Sequence, residues 1–343
     1  MTRVSVVSPE PTPYRAPLFD RIAARDEVEL TVVYAARTVA DRSWSVALHH
    51  PHIFLRGLRV PGARTFLRHD YPLTPGVVHA LNESGPDVVV VSGWSTFASQ
   101  AAVAWCRARR VPYVLHVESH DLDPRPRWRR AVKDAVATRL IRGAASVLAV
   151  GSAARESALA RGASQVRIFA NTIDVDGWIA RADALRGPQH DGTVVLSVGR
   201  AVPEKGFDIL TAAAAQAAVR LETVTGGVSE EELARRYVGA DVFALLSRHE
   251  PWGVVVNEAA ASGLPLVLSS RVGAAYDLLR DGENGFLVPA ENVEAAANAI
   301  RKLAEDADLR RRMGERSREL VRAWNYGSSV DSLVAAVREA TAR

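Results

Sequence analysis

The feature that most constrains the fold is a repeated alternation of short apolar segments with longer helical segments. The apolar segments of the first half, rich in valine, lie at 4–8, 28–34, 87–92, 113–118 and 146–151. Helical patterns begin near residue 17 and cover 75–83, 97–109 and 128–142. Apolar strands joined by helices form parallel sheets with helices on both faces. The first half is therefore predicted to be a Rossmann-like α/β domain, with ligands at the carboxyl ends of its strands.

The length of the chain supports a second domain. At 343 residues, it is long enough for two domains that each bury a core. A polar stretch at 187–192 separates the first half from a second series of strands and helices. We predict a first domain at 1–187, a second at 188–322, and a final segment at 323–343.

Composition narrows the class of protein. Hydrophobic residues make up 48% of the chain, and no apolar run approaches the roughly 18 residues that span a bilayer. The apolar stretch at the N-terminus is too short for a signal peptide, and Cys106 has no second cysteine to pair with. We expect a cytoplasmic protein without a membrane anchor. Of the 43 basic residues 40 are arginine, which indicates a GC-rich coding sequence, as in actinobacteria.

Charge is distributed unevenly between the two halves. Residues 1–187 carry a net charge of +8 and residues 188–343 carry −4. A basic domain could meet an anionic membrane or an acidic partner through long-range attraction. The densest basic segment, 125–133, contains only one aromatic residue and offers little apolar surface. We therefore expect a solvated face rather than a membrane-binding helix, and no nucleic-acid partner.

A carboxylate pair marks the candidate site of the second half. Glu250 and Glu258 bracket the segment Glu-Pro-Trp-Gly-Val-Val-Val-Asn-Glu, which passes from a buried strand into a helix that begins after Gly253. The free N–H groups of a helix N-terminus suit a diphosphate. Arg200 and Lys205 follow another apolar strand and add two cations for a leaving diphosphate. Because carboxylates accept hydrogen bonds from sugar hydroxyls, the pattern indicates a nucleotide-sugar site.

Residues 194–289 resemble the donor domain of the retaining family 4 glycosyltransferases. The similarity rests on an ordered set of motifs: Gly-Arg-x4-Lys-Gly, Ala-Asp-Val-Phe, Glu-x7-Glu and Ala-Ser-Gly-Leu-Pro-Leu-Val. The resemblance implies the GT-B fold, in which two Rossmann-like domains face each other across a cleft and the last helix crosses back to the first domain. It also implies metal-independent transfer with retention of configuration, in which the departing diphosphate takes the acceptor's proton on the same face.

The resemblance also implies roles for individual residues. The residues predicted to act in catalysis are Arg200, Lys205, Glu250 and His116. The residues predicted to bind the donor are Gly199, Arg200, Lys205, Thr223, Val224, Glu250, Gly253, Val254, Val255 and Glu258. Among them, Arg200 and Lys205 hold the diphosphate, Glu250 contacts the transferred sugar, and Glu258 binds the ribose. A structural ion pair or a helix cap is the alternative interpretation for each residue.

The region that reads the nucleobase departs from the family pattern. One strand–helix unit is missing between the alanine-rich helix and the segment Ser-Glu-Glu-Glu-Leu, so the second domain is predicted to be small. Thr223, Val224 and Gly226 are the candidates near this strand end. The identity of the base is therefore open.

The predicted acceptor side lies in the first domain. A proline-rich loop replaces the family's usual glycine-rich loop after the first strand. Because prolines lack N–H groups, this loop should present Tyr14 and Arg15 to the acceptor or the donor phosphate, unless these two residues merely start a helix. Trp94 ends another strand and is predicted to line the same rim, with a core position as the alternative.

The segment His116-Val-Glu118-Ser-His120-Asp directs alternate side chains to one side of a strand. The family resemblance implies that His116 and Glu118 face the reacting sugar and the acceptor, and alternation predicts His120 on the same side. A zinc site is an alternative, but His, Glu and Asp side chains bind sugar hydroxyls equally well. We predict no metal site.

The predicted activity is transfer from a nucleoside diphosphate sugar, with a UDP-sugar favoured, to a hydroxyl of a glycosylated natural product. The compact second domain and the Pro-Tyr-Arg loop resemble those of antibiotic-tailoring glycosyltransferases, which implies an oligosaccharide antibiotic of the orthosomycin (avilamycin) type as the acceptor. A lipid or cell-envelope acceptor is the alternative. No cofactor beyond the sugar nucleotide is expected. A nucleotide-sugar epimerase and a noncatalytic binding protein are alternatives of other classes. A nicotinamide oxidoreductase is disfavoured because no Gly-x-Gly-x-x-Gly follows an N-terminal strand.

Overall fold

The computed structural model describes residues 1–38, 46–59, 71–122, 127–187 and 191–342. In the helix that begins at Arg127, side chains are described from Asp134 onward. The basic segment predicted at 125–133 lies outside the described side chains.

The first domain contains a parallel sheet of seven strands in the order β3-β2-β1-β4-β5-β6-β7. The strands are β1 Thr2–Ser8, β2 Val28–Tyr34, β3 His52–Phe54, β4 Val88–Ser92, β5 Tyr113–Val117, β6 Ser146–Ala149 and β7 Val166–Ile168. The helices are α1 Ala16–Ala23, α2 Val77–Ser84, α3 Phe97–Arg109, α4 Arg127–Gly143 and α5 Ser152–Ala160. All five predicted strands of this half are confirmed, and the edge strands β3 and β7 are additional.

The second domain contains a parallel sheet of five strands in the order β12-β11-β10-β8-β9. The strands are β8 Val194–Val198, β9 Arg220–Val224, β10 Val242–Leu245, β11 Leu266–Ser269 and β12 Gly285–Val288. The helices are α6 Val175–Leu185, α7 Phe207–Ala217, α8 Glu230–Val238, α9 Val254–Ala261, α10 Ala275–Leu278, α11 Val293–Glu305 and α12 Ala307–Val321. Two parallel-sheet α/β domains therefore form the molecule, as predicted.

The chain passes between the domains twice. Helix α6 packs on α8 and α9, and its Trp178 and Ile179 belong to the apolar core of the second domain. The last helix, α13 Tyr326–Thr341, returns to the first sheet, where Leu333 packs in one core with Val4 and Leu18. The return of the last helix agrees with the expected crossover. The predicted boundary at 187 stays a prediction, although α6 already packs with the second domain.

Polar and aromatic contacts join the domains around these passages. Asp277 of α10 accepts hydrogen bonds from the backbone N–H of Ser152, at 2.8 Å, and from its hydroxyl, and so caps the N-terminus of α5. Beside it, the ring of Trp252 lies 2.3 Å from the position that a Cβ on Gly151 would occupy. Only glycine allows the two domains to approach this closely. Among the described residues, no helix is long and apolar enough to cross a membrane.

Candidate functional site

The loop between β10 and α9 carries the first half of the site. Gly253 precedes α9 with a φ of 97°, in the left-handed region that favours glycine. A Cβ there would lie 3.2 Å from the Cγ of Glu250 and 3.3 Å from Leu245. The first N–H groups of α9, at Val254 and Val255, have no intrahelical acceptor. The loop therefore combines free backbone donors with the Glu250 carboxylate.

A second loop, after β8, brings Lys205 to Glu250. It contains the single 3-10 turn Pro203–Lys205, followed by Gly206 with a φ of 65°. A Cβ on Gly206 would lie 2.3 Å from the carbonyl oxygen of Leu246, so only glycine lets this turn close against the end of β10. Lys205 Nζ donates a hydrogen bond to Glu250 Oε2, and the two side chains are 16% and 12% exposed. Two predicted catalytic residues therefore form one largely buried ion pair.

Gly199 and Arg200 lie on the same loop. A Cβ on Gly199 would contact the Lys205 side chain at 3.3 Å, and the Gly199 N–H donates to the Val224 carbonyl at 2.9 Å. Arg200 is exposed, and no carboxylate of the described residues pairs with its guanidinium. Thr223 is exposed beside it on β9. The loop thus offers one cation paired with Glu250 and one open to an arriving anion.

Glu258 lies on the first turns of α9, where Tyr237 holds it. The Tyr237 hydroxyl donates to Glu258 Oε2 at 2.8 Å. Burial raises the pKa of the Glu258 carboxyl from 4.5 to about 7, although the Tyr237 hydrogen bond opposes the shift. Near neutral pH, this carboxyl therefore exists in both protonation states.

We expect nucleotide binding to respond to the ionisation of Glu258. The pKa of Glu258 is higher in the folded protein than the ordinary value of 4.5. Protonated Glu258 therefore stabilises the unliganded fold below about pH 4.5, and this contribution is lost as the pH rises through about 7. Ribose hydroxyls that donate to the carboxylate favour the ionised form, so affinity should rise by up to about tenfold between pH 6 and pH 8. Calorimetric titration with a nucleoside diphosphate at several pH values measures this affinity. In Glu258→Gln, the affinity should vary much less with pH. Equal slopes in both proteins would rule out the ribose role.

The first domain contributes a cavity of about 320 Å³ that opens toward the Glu250 loop. All but one of its lining residues belong to the first domain, and the exception is Pro251, next to Glu250. The lining residues are Pro9, Glu10, Thr12, Tyr14, Arg15, Tyr71, Ser92, Gly93, Trp94, Ser95, His116, Glu118, Ser119 and Pro251. One cavity is thus lined by His116 and by four of the predicted acceptor-side residues, Tyr14, Arg15, Trp94 and Glu118.

A charged cluster forms part of this wall. Arg15, which is 5% exposed, donates to Glu118 Oε1 and, through Nε, to Asn171 Oδ1 at 3.2 Å. Asn171 Nδ2 donates to the same Glu118 oxygen at 2.6 Å. Burial alone would raise the pKa of Glu118, but the Arg15 charge and these hydrogen bonds lower it to about 2. Arg15 is therefore a paired cation at the start of α1 rather than one free for a phosphate.

His116 lies at the end of β5 and is 1% exposed. Its ring packs edge-on against Phe169, with ring centroids 5.2 Å apart, and its Nε2 has no hydrogen-bond partner among the described residues. Burial and the nearby Arg15 charge lower the pKa of His116 to about 4, so the ring is neutral at pH 7. A neutral imidazole on the cavity wall can form a hydrogen bond with a sugar hydroxyl.

His120 faces a different direction from His116. It does not line the cavity; its Nε2 lies 3.0 Å from the backbone carbonyl oxygen of Glu250 in the other domain. No group of three or more His, Cys, Asp or Glu side chains in the described ranges is arranged to hold a metal ion. The acceptor-side role predicted for His120 stays a prediction, and the observed contact lies on the donor loop.

Three residues of the site carry no strong sequence signal. Asn171, visible in the sequence only as part of a linker, bonds both Arg15 and Glu118. Tyr237 holds Glu258, and Asp277 caps α5 of the other domain. Each acts through a partner far away in the sequence, so spacing within a motif does not reveal it.

Comparison with protein families gives two matches, one in each domain. The description "Glycosyl transferase 4-like domain" matches residues 11–172, and "Glycosyl transferases group 1" matches residues 222–320. The second range contains Glu250, Gly253 and Glu258, and the first contains all the residues that line the cavity except Pro9, Glu10 and Pro251.

Curated relatives match over parts of their length. The lipopolysaccharide core biosynthesis glycosyltransferase LpsE of Rhizobium meliloti is 32% identical, over 45% of this chain and 52% of its own. A GDP-mannose-dependent alpha-mannosyltransferase of Mycobacterium tuberculosis is 34% identical, over 52% of each chain. The sulfoquinovosyl transferase SQD2 of Arabidopsis thaliana is 26% identical, over 81% of this chain and 62% of its own. The chain thus spans from about half to three fifths of the length of these relatives.

Solved structures share the fold over the whole chain. Sucrose-phosphate synthase from Thermosynechococcus elongatus has a TM-score of 0.76 at 21% identity and covers 99% of both chains. Anabaena HepE in complex with UDP and glucose has a TM-score of 0.72 at 18% identity, over 98% of this chain and 100% of that one. Each domain thus matches one glycosyltransferase description, and the two-domain fold is the GT-B fold of these solved structures.

Proposed function

We propose that the chain is a retaining glycosyltransferase that moves a sugar from a nucleoside diphosphate sugar to an acceptor hydroxyl. One observation carries the proposal: Glu250, paired with Lys205, lies beside Gly253 at the N-terminus of α9, and the next residue, Pro251, lines the cavity. A diphosphate at the helix and a sugar at Glu250 would bring the anomeric carbon to the mouth of this cavity. The matches to glycosyltransferase families in both domains support the same activity.

The reaction needs little covalent chemistry from the protein. The bond from the anomeric carbon to the diphosphate oxygen breaks, and the acceptor oxygen forms a bond to that carbon from the same face. The acceptor proton passes to the departing diphosphate. Arg200, Lys205 and the α9 N–H groups stabilise the charge that develops there, and Glu250 orients the sugar. No cofactor takes part beyond the sugar nucleotide.

UDP is the favoured nucleotide of the donor. HepE, which shares the fold, is described in complex with UDP and glucose, whereas the mycobacterial relative is named for GDP-mannose. In this chain the base would lie beside the end of β9, where the Val224 carbonyl is already engaged by Gly199. Selectivity there would rest on neighbouring backbone groups and on Thr223.

The cavity favours an acceptor rich in hydroxyls. Its described charged residues are Glu10, Arg15 and Glu118, and the one cation is paired with a carboxylate. Sugar hydroxyls can form hydrogen bonds with the Glu118 carboxylate and with the neutral His116 imidazole, and sugar rings can pack on Trp94. We favour a glycosylated natural product, such as an oligosaccharide antibiotic. A cell-envelope acceptor is the second candidate, because one relative is named for lipopolysaccharide core biosynthesis.

Ligand binding tests the donor assignment. In a thermal-shift titration with UDP, GDP, ADP, dTDP and NAD, we expect one nucleoside diphosphate, UDP, to raise the Tm by several degrees at saturation. Lys205→Ala should abolish the shift. A shift with NAD alone, or with no nucleotide, would overturn the proposal.

Product analysis tests the reaction and the acceptor. With the donor that binds, we expect transfer to a neutral oligosaccharide, and NMR should show the anomeric configuration of the donor in the product. A change in the donor sugar without any acceptor would indicate an epimerase, and binding without turnover would indicate a noncatalytic protein. Binding of the protein to anionic liposomes at low salt tests the cell-envelope acceptor. That candidate requires vesicle binding, and the natural-product acceptor does not.

A further inference from the structure

We propose that His120 is a positioning residue that couples the approach of the two domains to the orientation of Glu250. The inference rests on the proposed function, in which Glu250 contacts the transferred sugar. His120 follows β5 of the first domain, whereas Glu250 belongs to the donor loop of the second. Their contact is a direct hydrogen bond between the acceptor half and the donor half of the site.

The neighbouring hydrogen bond fixes the protonation of the imidazole. The backbone N–H of Leu122 donates to His120 Nδ1 at 3.3 Å, so Nδ1 carries no proton in this arrangement. The proton is then on Nε2, which donates to the Glu250 carbonyl oxygen at 3.0 Å. The side chain is 1% exposed, so water does not compete readily for this bond. The His120 Nδ1 atom therefore accepts a hydrogen bond within its own loop, and the Nε2–H group donates one to the other domain.

The Glu250 peptide is held from two sides. Within its own domain, the Glu250 N–H donates to the backbone carbonyl oxygen of Arg271 at 3.2 Å, and the Glu250 carbonyl accepts from the Gly273 N–H at 2.9 Å. A Cβ on Gly273 would lie 2.0 Å from the Pro251 carbonyl oxygen and 3.3 Å from the His120 ring. Glycine at 273 thus lets the loop and the imidazole meet at one carbonyl. The bond from His120 is the contribution of the other domain.

This arrangement makes the orientation of Glu250 depend on the position of the first domain. If the domains move apart, the Gly273 bond survives because both partners belong to one domain, and the His120 bond is lost. The Glu250 carbonyl then has one donor instead of two, and the carboxylate that pairs with Lys205 is less firmly placed. Misplacement of a catalytic group by about 1 Å can cost about 10²-fold in rate.

Three substitutions separate the two hydrogen bonds of His120. His120→Asn keeps an acceptor near Nδ1 and removes the donor at Nε2, His120→Gln retains a donor that can reach the carbonyl, and His120→Ala removes both. We expect kcat to fall by about 10- to 100-fold in the Ala and Asn variants and less in the Gln variant. The Kd for UDP should change by less than about twofold, because Arg200, Lys205 and Glu258 remain in place. Ser152→Ala, which removes only a hydroxyl bond to Asp277 across the domains, is the matched control and should keep kcat within about threefold.

A double-mutant cycle and a readout without turnover complete the test. In a Glu250→Ala background, His120→Ala should cost less than about threefold, because the group that it positions is absent. Hydrogen exchange of the 249–256 segment should rise at least about tenfold in His120→Ala but not in Ser152→Ala. Unchanged exchange, equal loss in both backgrounds, or retained activity in His120→Asn would overturn the inference. If the wild type transfers no sugar, the proposed function fails, and the exchange experiment still decides the role of His120.

Discussion

Lys205→Ala is expected to lower kcat/KM for sugar transfer by about 10²- to 10³-fold, the range typical for loss of one preorganised donor to a developing anion. The substitution removes a cation at the diphosphate and leaves the Glu250 carboxylate, which is 12% exposed, without its partner. Both effects act at the reacting centre, so kcat should fall as well as donor affinity. Steady-state kinetics with varied donor and acceptor measure the two losses separately.

The chain offers a matched control for this prediction. Lys302 on α11 is exposed, and its ammonium lies 5.0 Å from the ring centroid of Phe286, away from the site. Lys302→Ala should leave kcat/KM unchanged, and Lys205→Arg should recover part of the lost activity because it keeps the charge. Near-normal turnover in both Lys205→Ala and Glu250→Ala, with folding intact, would contradict the site assignment.

Glu118→Gln is expected to destabilise the protein by about 2 to 3 kcal/mol and to impair acceptor binding. The two partners of this ion pair differ in burial, because the Arg15 side chain is 6% exposed and the Glu118 side chain is 40% exposed. Removing the Glu118 charge leaves a buried cation with Asn171 as its remaining acceptor, whereas removing Arg15 leaves a carboxylate that water can reach. Arg15→Met should therefore cost only about 1 kcal/mol. Chemical denaturation at pH 7 compares the two variants.

The same pair predicts a pH dependence. The pKa of Glu118 falls from 4.5 to about 2 in the folded protein, so its contribution to stability is present above about pH 4.5 and is lost as the pH falls through about 2. The difference in unfolding free energy between the wild type and Glu118→Gln should therefore shrink from pH 7 to pH 3. A difference that stays constant would show that folding does not lower the pKa of Glu118.

The fold could be predicted from the sequence where the pattern is strong. Helix α3 and strand β2 begin and end where the sequence predicts, and α9 begins after Gly253 as predicted, because long apolar periods and valine-rich runs define these elements. Strands β3 and β7 escaped prediction because each has three residues at a sheet edge and contains polar side chains, so neither shows an apolar run. Helix α6 lies before the polar stretch at 187–192 that was used as the domain boundary. Its packing on the second domain depends on tertiary contacts, which the sequence pattern does not show.

The site could be predicted in part for the same reason. Lys205 and Glu250 lie 45 residues apart, yet each follows a strand of one parallel sheet, and parallel topology brings such ends together. The pairing of Arg15 with Glu118 and Asn171 joins three separate segments, which no local spacing encodes. Strand alternation placed His120 on the side of His116, but His120 lies beyond the end of β5, where alternation no longer applies.

The two passages of the chain between the domains also lie side by side. The first precedes α6 and includes Thr172, and the second lies between α12 and α13 and includes Trp324, whose carbonyl accepts a hydrogen bond from the Thr172 hydroxyl. The Trp324 ring packs on Trp252, with centroids 5.2 Å apart. We expect two adjacent covalent connections to restrict relative movement of the domains to a hinge, because sliding or twisting would stretch one connection against the other. Any opening of the domains about an axis near Thr172 would move His120 away from Glu250.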